Sequence, residues 1–173
     1  MKKIAITLIF IAAYAMGLAQ EFKIPELTLE QKHNRTLYFA HSFVFSGIAN
    51  AKAAGMSIDE YADFVAGWAK TTWNKEMGFE GFIKGTLYNW ETLRRDSDPP
   101  MEILEQNPNR CIFKCKNNFR EIFQEGPVFG VTHEEMFTWY KVLHQRIGEY
   151  LGAGFEMEEM DGDWIKMIFV RME

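Results

Sequence analysis

Apolar residues recur at helical spacing along the first part of the chain, and polar capping signals mark where two helices begin. Thr28 followed by Gln31 forms a capping box, in which each side chain satisfies a backbone N–H group at a helix start. The spacing therefore predicts a helix over about 28–54, ended by Gly55. Its apolar stripe consists of Leu37, His41, Val44, Phe45 and Ile48.

A second capping box, Ser57 with Glu60, follows almost at once and predicts that the first two helices form an antiparallel hairpin. The apolar stripe expected for this second helix contains Tyr61, Phe64, Val65, Trp68 and Trp73. A third helix is predicted over about 79–95, before the turn formers and prolines of residues 96–100. Its buried side should carry Phe82, Ile83, Leu87 and Trp90.

The periodicity then changes to that of strands. Residues 101–106 and 110–116 flank Asn107-Pro108-Asn109 and predict a β-hairpin. A short helix is expected over 118–124, and a third capping box, Thr132 with Glu135, begins a long late helix. Residues 155–160 and 164–171 surround Asp161-Gly162, which predicts a closing hairpin.

This order of elements predicts an α+β fold in a single domain. The N-terminal helices should pack with one antiparallel sheet of about four strands, built from the two β-hairpins and covered on one side by helices. The sequence shows no internal repeat or linker, so the domain is predicted over residues 20–173.

The segment before this domain has the pattern of a bacterial-type signal peptide. Lys2 and Lys3 precede an apolar run over 4–15, and Gly17-Leu18-Ala19 is a small-x-small cleavage site. The alternative is a membrane anchor, but the uncharged run over 4–19 is 16 residues long, whereas a spanning helix needs about 20. We therefore predict cleavage after Ala19, a periplasmic or extracellular location, and a soluble domain with no stable membrane insertion.

Charge argues against nucleic acid as a partner. Loss of Lys2 and Lys3 with the signal leaves 17 basic against 24 acidic residues, which shifts the formal net charge from −5 to −7. Phosphate binding requires a positive surface, and Arg94-Arg95 is the only pair of adjacent basic residues in 20–173.

Two cysteines, Cys111 and Cys115, share one face of a predicted strand with Phe113. Four residues of strand span about 13 Å at 3.3 Å per residue, too far for a disulfide. We expect two free thiols. Cys115 also precedes a predicted helix, where a thiol pKa can be lowered and the thiolate can act as a nucleophile, although a buried, inert thiol is the simpler interpretation.

The histidines do not predict a metal centre. His133 and His144 share one face of the late helix but lie about 16 Å apart at 1.5 Å rise per residue. The Glu134-Glu135 pair after His133 lacks the second histidine of a zinc protease motif, because residue 137 is Phe. No metal and no cofactor is predicted. His41 or His144 could act as a base beside Cys115, and the alternative for His41 is a core histidine with a hydrogen-bonded ring.

From Met101 onward, the strand ending in Cys115, the helix after it, Gly126, the late helix and the hairpin with Gly162-Asp163 resemble the L-2-amino-thiazoline-4-carboxylic acid hydrolase-like family. Cys115 matches a family cysteine, whereas the last strand contains no cysteine. The resemblance implies a hydrolase that opens a small sulfur heterocycle.

The aromatic content of the chain favours a different hypothesis about its function. The chain has 15 Phe, five Trp and six Tyr, and such side chains fill a core or line a pocket. Our leading hypothesis is an exported domain that binds a small, partly apolar molecule without catalysis. The predicted contacts are Trp68, Trp90, Trp139 and Tyr140. The alternatives are a hydrolase of a small heterocyclic or amide substrate that uses Cys115, and a protein-interaction module with an exposed aromatic surface such as Trp139 and Tyr140. The oligomeric state stays open.

Overall fold

A computed structural model of the protein describes residues 26–95 and 97–173. Contacts between residues group the chain into two compact units, residues 1–32 and residues 33–173. The predicted signal peptide, residues 1–19, lies outside the described residues, and the domain boundary at residue 20 stays a prediction. Within the described ranges, no helix is both long enough and apolar enough to cross a bilayer.

The described residues form five α-helices and one four-stranded antiparallel sheet, which confirms the α+β fold. The helices are α1 (Leu29–Ala53), α2 (Ile58–Ala69), α3 (Gly78–Leu93), α4 (Asn118–Ile122) and α5 (His133–Tyr150), with a 3-10 turn at Lys75–Met77. The strands are β1 (Glu102–Asn107), β2 (Arg110–Lys116), β3 (Ala153–Met160) and β4 (Trp164–Arg171), in the spatial order β1-β2-β4-β3.

Capping begins α1, α2 and α5 as the sequence predicts. In each of the three boxes the first side chain accepts a hydrogen bond from the backbone N–H three residues on, and the side chain at that position accepts one from the first residue's backbone N–H. Each cap satisfies donors that the helix leaves unpaired and is worth about 1 kcal/mol. These three helix starts are therefore fixed by local sequence.

The buried face of α2 differs from the predicted aromatic stripe. Ala62, Ala66 and Ala69 are the buried residues of this helix, whereas Phe64 and Trp68 are 68% and 69% exposed. The helix packs chiefly on α5, and its Tyr61 side chain also reaches Gly47 of α1. The predicted hairpin of the first two helices stays a prediction. Small alanine side chains let two helix backbones approach closely, and this close approach decides which face is buried.

The sheet presents one face to the helices. Phe113 lies opposite Met167, which in turn lies opposite Met157. From α3, the Phe82 ring packs edge-on against Phe155 and Phe169, with centroids 6.0 and 5.5 Å away. The helices thus cover the face that strand alternation predicts to be buried.

Cys111 and Cys115 are both free and buried on this face, which confirms the prediction of two unpaired thiols. Cys111 lies opposite Phe169 of β4, and Cys115 lies opposite Ile165. Each cysteine is two residues from Phe113, on opposite sides of it along the strand. The strand geometry keeps the two sulfur atoms apart.

Candidate ligand-binding cleft

A cleft of about 610 Å³ lies where α1, the end of α3 and α4 meet. Its volume falls in the range of about 300–1,000 Å³ that is typical of small-molecule sites. The apolar part of the wall is formed by Leu37, Phe45, Leu93, Ile122, Val128 and Phe129. The polar part includes His41, Ser42, Arg95 and Asn118.

His41 is the one predicted site residue that lies in this cleft. Its ring stacks on Phe45 at 6.0 Å and meets the Phe119 ring edge-on at 5.8 Å. Its Nε2 atom is buried and has no hydrogen-bond partner within the described residues. Burial, and secondarily the positive charge of Arg95, lower the pKa of His41 below its usual value. The imidazole is therefore neutral at neutral pH and offers an unused polar atom.

Arg95 brings the only formal charge among the described residues that line the cleft. Its Nη1 atom lies 2.5 Å from Glu121 Oε2, and both side chains are partly exposed, by 42% and 36%. Glu121 is shared with Lys116 at 3.2 Å, and Lys116 also lies 3.5 Å from Asp98. An ion pair this exposed contributes about 0–1 kcal/mol to the free energy of unfolding. Breaking the contact between Arg95 and Glu121 would therefore cost the fold little stability.

Backbone contacts hold the end of α3 against its neighbours. His33 Nε2 donates to the Arg94 carbonyl at 3.3 Å, and Asn118 Nδ2 donates to the Leu93 carbonyl at 3.3 Å. Asp98 is buried and accepts from the Arg95 backbone N–H at 3.1 Å. Two segments distant in sequence, together with the nearby Asp98, thereby fix the wall that carries Arg95.

The structure places Cys115 in the core and outside the cleft. The residue is 1% exposed, and its thiol lies 3.9 Å from the Ile165 carbonyl. Burial raises the pKa of Cys115 to about 12. The buried, inert thiol, the simpler of the two interpretations, is confirmed, whereas the alternative of a lowered pKa near the start of α4 is wrong, because loss of solvation of the thiolate outweighs any effect of that short helix.

His144 is also a core residue. It is 5% exposed, its Nδ1 donates to the Tyr140 carbonyl at 2.9 Å, and its ring stacks on Tyr140 at 4.0 Å. Burial lowers the pKa of His144 to about 4. Within the described residues no hydrogen bond joins any two of Cys115, His41 and His144. The predicted pairing of a nucleophile with a base is therefore absent from this structure.

The four aromatic residues predicted to contact a ligand do not line the cleft. Trp68 points to solvent on α2, whereas Trp90, Trp139 and Tyr140 are buried in the core. The ring of Trp90 meets Phe119 and Tyr140 edge-on at 5.7 and 5.3 Å. This cluster supports the wall on which His41 rests, because the Phe119 ring contacts both Trp90 and His41. Trp139 and Tyr140 are therefore not the exposed aromatic residues expected for an interaction module, and exposed aromatic side chains such as Phe43 and Trp68 lie on α1 and α2 instead.

A second polar cluster joins the end of β2 to α5 and β3. Buried Asn117 donates from Nδ2 to Glu159 Oε1 at 3.0 Å and lies 3.3 Å from His133 Nε2. Its Oδ1 accepts from the Phe119 backbone N–H at 3.1 Å. Since both polar ends of this amide have protein partners, the cluster serves to connect strands and helices. Across residues 26–95 and 97–173, no three metal-ligating side chains converge.

A separate cleft of about 740 Å³ lies between α3 and the first hairpin, and none of the predicted site residues lines it. Sequence reasoning singled out Arg95 only as part of the basic pair, and it did not find Phe45, Val128 or Phe129 as wall residues. Their convergence comes from segments far apart in the chain, and no local pattern encodes it.

No protein-family model, no curated protein and no solved structure matches this chain at a significant level. The resemblance to the hydrolase-like family stays a prediction.

Proposed function

We propose that this domain binds a small, partly apolar molecule in the cleft formed by α1, α3 and α4. The observation that carries the proposal is a cleft with apolar walls that is also lined by one guanidinium and by His41, whose buried Nε2 has no hydrogen-bond partner within the described residues. Ligand sites commonly combine an apolar lining with a few polar groups that orient the ligand.

The alternatives drawn from the sequence gain no support from the residues they name. A thiol as well buried as that of Cys115 has neither the access nor the thiolate population that a nucleophile needs. Trp139 and Tyr140 contribute to the core and not to a surface.

Filling the cleft tests the proposal. Ser42 lines it and donates its hydroxyl to the Tyr38 carbonyl at 2.8 Å. Ser46, one turn along the same helix, donates to the Phe43 carbonyl at 3.0 Å and is not among the lining residues. Ser42→Phe should occupy the cleft, and Ser46→Phe is the matched control with the same added volume.

Titration calorimetry with 1-naphthylacetate and its uncharged amide, 1-naphthylacetamide, provides the measurement. We expect saturable binding of at least one probe, weakened at least about tenfold by Ser42→Phe and less than about twofold by Ser46→Phe. Circular dichroism verifies that both variants fold. No binding of either probe up to about 1 mM, or equal binding by Ser42→Phe, overturns the proposal.

We also propose that residues 1–19 direct export of the domain. The mass of the protein recovered from the periplasm or the medium should correspond to a chain that begins at Gln20. Recovery of the intact chain from the cytoplasm contradicts this.

A further inference from the structure

We propose that the cleft selects a partly apolar carboxylate, with the carboxylate held by Arg95 and the apolar body lying on the wall formed by α1 and α4. This inference rests on the proposed function and names the chemical class of the ligand. It begins from the charge of the cleft, where Arg95 stands without any acidic residue among the described lining residues. Among these lining residues a cation would meet a like charge, whereas an anion meets a guanidinium.

The Arg95 guanidinium has N–H donors that the contact with Glu121 does not use. An arginine side chain carries five N–H donors in a planar fork that fits a carboxylate. Within the described part of the chain, only Nη1 of Arg95 has a side-chain partner, which is Glu121. The remaining side-chain donors have no partner among residues 26–95 and 97–173 and can be offered to a ligand in the cleft.

Glu121 does not depend on Arg95 alone. Its other oxygen, Oε1, lies 3.2 Å from Lys116 Nζ. If Arg95 shares or transfers its contact to a ligand carboxylate, Glu121 keeps a cationic partner. The network Arg95, Glu121, Lys116 and Asp98 can therefore accommodate an added negative charge without leaving a carboxylate unpaired.

His41 lines the same cleft. Its Nε2 is buried and has no hydrogen-bond partner within the described residues, so a small shift of the ring is needed for the neutral tautomer with hydrogen on Nε2 to donate to a carboxylate oxygen. A buried donor without a partner is costly to leave unsatisfied. Beside His41, Ile122, Val128 and the exposed ring of Phe129 give the cleft apolar surface without charge.

The test compares 1-naphthylacetate with 1-naphthylacetamide, which have nearly the same shape and differ in charge. We expect wild-type protein to bind the carboxylate at least about tenfold more tightly than the amide, as charge-assisted hydrogen bonds are stronger than neutral ones. Arg95→Gln should remove this preference while changing affinity for the amide less than about twofold. Arg95→Lys should restore part of it.

Two further variants separate direct contact from net charge. Arg95→Gln combined with Glu121→Gln removes one charge of each sign, and we expect the preference to remain lost. Arg120→Gln is the matched control, because Arg120 is similarly exposed on α4, pairs with Asp163 at 2.9 Å and does not line the cleft. It should keep the preference.

Each result has a distinct meaning. Equal binding of the two probes overturns the carboxylate inference and leaves the cleft as a site for neutral molecules. Recovery of the preference in the double variant, or its loss in Arg120→Gln, also overturns it, since a general field would then explain the selectivity. Failure of both probes to bind overturns the proposed function itself.

Discussion

Acidification should destabilise this protein through one buried histidine. His144 stacks on Tyr140 in the core with a pKa lowered to about 4 by burial, whereas in the unfolded chain its pKa is about 6.5. Below pH 6.5 the unfolded state binds a proton that the folded state does not, so stability falls as pH falls. Above pH 6.5 both states are neutral, and this contribution no longer changes.

The expected magnitude follows from the two pKa values. One pKa unit corresponds to about 1.4 kcal/mol, so the full loss approaches about 3 kcal/mol near pH 4. Between pH 7 and pH 5 the loss is about 2 kcal/mol by the same relation. For a domain with a free energy of unfolding of about 5–15 kcal/mol, this is a large fraction.

Urea unfolding followed by tryptophan fluorescence at several pH values measures this effect. His144→Phe keeps an aromatic ring beside Tyr140 and removes the titrating group, so its stability should fall about 2 kcal/mol less than that of the wild type between pH 7 and pH 5. His133→Gln retains His144 and serves as the control. Parallel loss of stability in wild type and His144→Phe, or a His144 ring resonance that titrates near pH 6.5 in the folded protein, refutes the reasoning.

Three other outcomes follow from the packing and the cleft. Gly85→Ala should destabilise the protein by about 1–3 kcal/mol in urea unfolding, because its new Cβ would lie 2.5 Å from the Trp73 ring. The Cys115 thiol should react with a disulfide reagent only as fast as the protein opens, since it is buried and its pKa is raised to about 12. The rate at which the Cys115 thiol reacts should therefore increase with urea concentration. Proton NMR should find the pKa of His41 below its usual value and raised, though not fully restored, by Arg95→Gln.

Each of these three predictions has a result that contradicts it. Unchanged stability of Gly85→Ala would show that Trp73 does not rest on this glycine. Rapid labelling of Cys115 in folded protein would show an accessible thiol. A His41 pKa unmoved by Arg95→Gln would show that the guanidinium does not act on the imidazole, which would also weaken the case for the two groups acting together on one ligand.

The sequence by itself determined the elements and the faces of the strands. The capping boxes at Thr28, Ser57 and Thr132 join residues that are three apart in the chain. Their hydrogen bonds therefore depend on local sequence and mark where each helix begins. Strand alternation has a period of two, which places Cys111 and Cys115 on one face regardless of what covers it. These are local properties, and local sequence suffices to predict them.

Only the tertiary structure decided which surfaces of the helices are buried and where a ligand could bind. Helical spacing places Trp68 on an apolar stripe, but the close approach of α2 to α5 through alanines is what turns Trp68 to solvent. In the same way, His41 and His144 both lie on apolar helix stripes, yet one reaches a cleft and the other the core. The residues that line the cleft come from distant parts of the chain, from α1 to the loop that contains Phe129. Contacts between such residues depend on how whole elements pack, and no local sequence pattern predicts them.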